Sequence, residues 1–269
     1  MRNHIRLKKH SNKQMNTTMR KIITTSLIAT FAFIGCKSTD EKERFTEKIG
    51  EAHQKEAFLS KEAVQFKMQL NFGGKERMNA LFTVLTNSSK AVIEYENGAK
   101  IIVDKDKVYY STAIPNEENV RFDAYTWQYF FLFPYKLNDP GTKWNTYDNK
   151  EANHADYLTE KLTFESGTGD APDDWYVVYA DKATHLLEKA AYIVTVRGNK
   201  EEAEKNPHAI QYLEYKEIEG IPIATKWIFW EWKKDEGLTK NIGTANLTAI
   251  QFVKEDPAYF TPTADFKIK

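Results

Sequence analysis

The chain has 269 residues, 38 Lys+Arg against 38 Asp+Glu, 41% hydrophobic and 13% aromatic side chains. That balance conceals an asymmetry: residues 1–35 carry seven basic and no acidic groups, which leaves 31 basic against 38 acidic in the rest. So acidic a chain gains nothing from counterion release on a phosphate backbone, and nucleic acid is excluded as an expected partner. With Cys36 as its one cysteine the chain has no intrachain disulfide, so stability must come from a packed core.

The N-terminal segment reads as an address. Arg20-Lys21 precedes the short apolar run from Leu27 to Ile34, which ends on the small Gly35 directly before Cys36. This is the anatomy of a secretory signal peptide, and the run is too short for a membrane span. Translation can start at Met1 or at Met19, with residues 1–18 as an upstream extension. Phe33-Ile34-Gly35-Cys36 resembles the lipobox of bacterial lipoproteins, in which the thiol takes a diacylglyceryl group and becomes the mature N-terminus. The resemblance implies lipidation at Cys36, detectable with a palmitate analogue, and attachment to a membrane through that lipid. Lys37 and the acidic Asp40-Glu41-Lys42-Glu43 follow the cysteine, so outer-membrane residence is expected, on the periplasmic side or at the surface.

Residues 37–44 are charged and lack an apolar period, and read as a solvated tether before a domain over 45–269. Phe45, Ile49 and Ala52 recur at helical spacing and predict a helix near 41–58. The period then changes to two. Val64, Phe66, Met68, Leu70 and Phe72 alternate with polar residues, Gly73-Gly74 turns the chain, and Met78–Val84 alternates again. Asn97-Gly98 is a strong hairpin signal between strands at 91–95 and 101–103, and Val108–Tyr110 completes a five-stranded meander. Residues 124–135 hold seven aromatics and no charge, which predicts a helix or turn pair under the sheet. On that helix Trp127, Phe130 and Phe131 share an inward face, and Pro134 is expected near an opening. Further strands follow near 143–148, 155–165, 175–179, 187–196, 210–215, 225–232 and 245–253, with a short charged helix or loop at Glu201–Lys205. The whole is a mainly β (α+β) chain: about a dozen antiparallel strands in one sheet with two or three short helices.

The order of helix, meander, aromatic helix and second β set resembles the bacterial lipoprotein-carrier superfamily, the periplasmic Lol carrier and its outer-membrane receptor. The residues that carry it are Ala80–Val84, Lys90–Gly98, Ile101–Tyr109, Glu219-Gly-Ile-Pro222 and Asp256–Pro262. Phe72–Arg77, Asp139–Thr142, Gly169–Tyr176 and Asn206–Ile210 are similar to an uncharacterised group of lipoproteins, over nearly all of 45–262. The resemblance implies a curved antiparallel half-barrel with helices on its concave side, LolA/LolB-like, and no established activity. The carriers hold their helical lid with an arginine near the end of an early strand; here Thr86-Asn-Ser-Ser89 occupies that place.

Catalytic constellations are sparse. Asp170, Asp173 and Asp174 in one Gly-bearing loop are weak Ca²⁺ candidates, since the EF-hand spacing and terminal Glu are missing. His185 or His208 with that loop could serve a metal-assisted hydrolase, but no His-x-x-His or His-x-x-x-His pair anchors a site. Gly-x-Ser-x-Gly and phosphate-loop patterns are absent from the sequence, and no cofactor is expected. Rings dominate instead: Trp127, Phe130, Phe131, Trp175, Trp227 and Trp230 are the candidate ligand-binding residues, with Trp175 and Tyr179 on one face of a strand. The leading expectation is a non-enzymatic envelope lipoprotein that binds an apolar small molecule or lipid in the concave face of its sheet. The alternatives are the metal-assisted hydrolase and a glycan-binding or scaffold lipoprotein.

Overall fold

The computed structural model describes residues 38–269 apart from Pro115 and Arg197, with side chains from Arg44 onward. The segment expected to be a signal peptide and Cys36 lie outside the described residues. Alternating side chains build thirteen strands: β1 (Ala63–Phe72), β2 (Lys75–Leu85), β3 (Lys90–Tyr95), β4 (Lys100–Asp104), β5 (Lys107–Tyr110), β6 (Thr142–Thr146), β7 (Tyr157–Phe164), β8 (Tyr176–Asp181), β9 (Leu187–Tyr192), β10 (His208–Ile218), β11 (Ile221–Lys233), β12 (Gly237–Val253) and β13 (Lys267–Ile268). All pairings are antiparallel, in the order β13-β5-β4-β3-β2-β1-β12-β11-β10-β9-β8-β7-β6. Only two ladders depart from neighbours in sequence: β12 returns beside β1, and the tail strand β13 covers β5.

Among the described residues four α-helices accompany the sheet: α1 (Ser38–Ala52), α2 (Lys55–Leu59), α3 (Val120–Leu132) and α4 (Lys200–Ala203). The single helix expected over 41–58 is two. Gln54 takes a left-handed conformation (φ 52°, ψ 46°), which ends one helix and caps the next. Residues Ser38–Arg44, expected as a tether, form the first turns of α1.

Helix α3 shows that the sheet is curled. It packs against β3, β4 and β5, while its Tyr129 ring lies 5.8 Å from Tyr176 on β8. In a flat sheet β4 and β8 would stand eight strand spacings apart, about 38 Å. The inner face therefore wraps around α3. Its core includes Phe66 stacked between Phe82 (5.1 Å) and Phe131 (4.2 Å), and Phe58 stacked on Tyr135 at 3.7 Å. Gly243 on β12 lets this packing close. A Cβ there would meet the Phe72 ring at 2.6 Å and the Asn71 carbonyl at 2.6 Å.

Two smaller apolar clusters cover the outer face. Trp175, Val177, Tyr179 and Trp232 form one, and Ala63, Val92 and Ile102 with Phe260 of the C-terminal tail form the other. Beneath the first, the Lys189 ammonium lies 2.5 Å from Glu151, Tyr179 donates to the same carboxylate at 2.7 Å, and both charged side chains are only 4% exposed. The Lys189 ammonium also sits over the Tyr157 and Tyr179 rings.

Candidate ligand-binding cavity

Helix α3 is held from one end by a buried carboxylate. Asp123 accepts two bonds from the Arg77 guanidinium at 2.8 Å each and a third from the Trp127 indole at 2.9 Å. Arg77 stands at the start of β2, so it ties the helix to the hairpin end of the sheet. Trp127 is enclosed by Phe72, Phe122, Phe130 and Phe229, and Phe131 by Phe66 and Phe58. This face of α3 is core.

The opposite flank of α3 borders a cavity of about 620 Å³, within the range of small-molecule sites. Arg121, Tyr125, Gln128, Leu132 and Lys136 form a stripe at helical spacing along one wall. The facing wall comes from Phe164, the 167–174 loop, Tyr176, Tyr192, Val194 and Val196. Rings run along that wall and join it to α3: Tyr176 lies 6.0 Å from Tyr192, 6.1 Å from Phe164 and 5.8 Å from Tyr129 of the helix, and Tyr192 lies 5.0 Å from Phe130.

Two of the cations at the rim, Arg121 and Lys136, are already paired with carboxylates. Arg121 gives two bonds to Asp170, at 2.9 Å and 2.5 Å, which links α3 to the 167–174 loop, and its guanidinium stacks 5.1 Å from the Tyr125 ring. Lys136 pairs with Asp139 and donates to the Ser88 hydroxyl at 2.9 Å. Asp174 differs. Its Oδ1 accepts the amide and hydroxyl of Thr195, both at 2.8 Å, and burial pushes its carboxyl above the usual range. Among the described residues no cation pairs with it.

The six ring residues marked in the sequence do not converge. Of these, Phe130 lines the cavity. Trp127, Phe131 and Trp227 belong to the inner core, while Trp175 and Trp230 lie in the outer-face cluster. Trp175 does share its face with Tyr179, but that face is turned away from α3. Pro134 is buried rather than at an opening, because the helix packs its C-terminal end against His53 and Tyr215; the open side is at Arg121, Tyr125 and Tyr129. The acidic loop is dispersed as well. Asp170 is engaged by Arg121, Asp174 by Thr195, and Asp173 is exposed. His185 sits in the turn after β8, and His208 packs 6.1 Å from the Tyr192 ring with burial lowering its pKa. No cluster of three metal-ligating side chains occurs among the described residues.

Sequence patterning singles out none of Tyr129, Tyr176, Tyr192, Arg77 and Asp123 as site residues. The uncharged run 124–135 pointed to the helix, but nothing local links Arg77 to a carboxylate 46 positions away.

An open antiparallel sheet curled around one aromatic helix defines a LolA-like architecture, and solved structures agree. A LolA superfamily protein from Nitrosomonas europaea is similar with a TM-score of 0.53 at 11% identity, covering 82% of this chain and 97% of that one. A DUF1329 family protein from Desulfovibrio piger gives 0.53 at 13% identity, covering 81% and 97%. A proposed outer-membrane lipoprotein-sorting protein domain from Vibrio parahaemolyticus gives 0.51 at 11%, covering 82% and 97%. The chain belongs to the family of unknown function DUF6503, whose pattern matches residues 73–242. No curated protein sequence matches it.

Proposed function

We propose that the protein is an envelope lipoprotein, anchored through Cys36, that holds an apolar or amphipathic molecule in the cavity beside α3. The observation that carries this reading is the cavity itself: about 620 Å³ of space bordered by a run of aromatic rings, with Arg121 and Lys136 at its rim internally paired. An acyl chain placed there loses contact with water at about 25 cal/mol per Å² of apolar surface, before the cost of ordering the chain. This pairing suits such a guest, since neither Arg121 nor Lys136 must be stripped of water without compensation. The fold supports the reading by analogy, because one structural neighbour bears the description of a lipoprotein-sorting domain.

Envelope location rests on the basic region, apolar run and Gly35-Cys36. Among the described residues no helix is long and apolar enough to cross a membrane; the attachment proposed is the lipid on Cys36. Native mass spectrometry of protein extracted gently from membranes tests the ligand. The reading expects a bound lipid that organic solvent removes. A protein that arrives without one and takes up no lipid on mixing refutes it.

A further inference from the structure

The cavity's two kinds of charged group are not equivalent, and the difference selects a ligand chemistry. Arg121 and Lys136 each hold an acidic partner at the rim, Asp170 and Asp139. An anionic ligand would have to displace a carboxylate to reach either of these two, while Lys105, also on the rim, makes no ion pair among the described residues. Asp174 reaches the same cavity with a carboxylate that no cation neutralises among the described residues. Only Oδ1 is occupied, by the Thr195 amide and hydroxyl, which leaves Oδ2 available to a guest.

The surroundings of Asp174 are aromatic. Tyr176, the second residue after it, forms the centre of the ring wall that includes Tyr129, Tyr192 and Phe164. The negative faces of such rings attract a cation, and tyrosine cages with a carboxylate are the usual means of holding ammonium groups. We infer that this site, on the binding reading above, takes an amphiphile or small molecule bearing an ammonium group, with Asp174 and the Tyr129–Tyr176–Tyr192 wall as its cation-binding end. Burial already disfavours the Asp174 charge, so a cation that enters relieves a strain in the free protein as well as making a new contact.

Three probes with one dodecyl tail separate the possibilities: dodecyltrimethylammonium, dodecanol and dodecanoate, each below its micelle concentration, titrated by calorimetry. The variant is Asp174→Asn, which keeps an oxygen for both Thr195 donors and so preserves the fold; its melting temperature is checked first. The inference expects the ammonium probe to bind at least tenfold tighter than the alcohol, with that preference lost in Asp174→Asn while alcohol affinity is unchanged. Equal binding of all three probes, or tightest binding of dodecanoate, overturns the ammonium assignment and leaves the cavity reading standing. Failure of every probe overturns both.

Discussion

Arg77 and Asp123 form an ion pair in which one guanidinium nitrogen, Nη2, bonds both carboxylate oxygens at 2.8 Å each, with the carboxylate only 3% exposed. The pair joins the first turn of α3 to the edge of the β1–β2 hairpin. Asp123 also fixes the Trp127 indole, so one buried charge sets both the position of the helix and the orientation of its largest ring.

Arg77→Met leaves that charge without its cation. Removing one partner of a buried pair typically costs roughly 3–5 kcal/mol, and the partial exposure of Arg77 argues for about 3. Urea unfolding should show it, and the double change Arg77→Met with Asp123→Leu should recover part of the loss. A single change within about 0.5 kcal/mol of wild type would mean that the pair is not what holds the helix.

Trp127→Ala should destabilise by about 3–5 kcal/mol, the usual range for deleting a large buried ring. The ring is enclosed by four aromatic neighbours and is 4% exposed. A near-neutral effect in thermal or chemical unfolding would place it at a binding surface instead of in the core.

The outer face has its own buried charge. Lys189→Met should cost roughly 3–5 kcal/mol, because Glu151 is then left in an apolar setting. Tyr179→Phe removes one hydrogen bond to a charged acceptor and should cost about 1.5–3 kcal/mol. The order of the two effects is the informative result; a larger loss from the tyrosine change contradicts the assignment.

His53 makes stability depend on pH. Its Nε2 accepts the Leu187 amide at 3.0 Å, and burial lowers its pKa to about 3, far below the unfolded value. The unfolded chain therefore binds a proton that the folded one refuses. Stability is full above pH ~6.5 and falls at up to about 1.4 kcal/mol per unit as pH drops toward 3. His208, also lowered by burial, adds a slope of the same sign. Between pH 7 and 5, His53→Gln should lose less stability than wild type; equal slopes would contradict the burial account.

Much of the sheet was legible because alternation reports a half-buried strand directly, as in Val64–Phe72, and Asn97-Gly98 fixes its hairpin. The first half of β12 escaped, since Thr239-Lys240-Asn241 is polar on both faces. The break at Gln54 escaped too, because a left-handed residue between two helices leaves no periodic trace. The site was harder. Parity separates Trp227 and Phe229 from Trp230 and Trp232, but only the curl of the sheet decides which set faces α3. The cavity walls come from α3, the 167–174 loop, β8 and the segment after β9, a convergence that no local pattern encodes.

The chemistry of the acidic loop also depends on distant partners. With Asp170 on Arg121 and Asp174 on Thr195, added Ca²⁺ should leave the melting temperature unchanged, and Asp173→Asn should shift stability by about 0.5 kcal/mol or less. A Ca²⁺-dependent rise that vanishes in Asp173→Asn would restore the metal-dependent reading.

Filling the cavity tests its role most directly. Val194 lines it and packs against the inner core, so Val194→Trp would place an indole where the guest is proposed to lie. The measurement is a fluorescence titration with an environment-sensitive acyl probe, on wild type and on Val194→Trp, with melting temperatures compared as a control. The account expects saturable one-to-one binding by the wild type and at least a tenfold loss in a variant that remains folded. Equal affinity in the two proteins, or no saturable binding in the wild type, would contradict it.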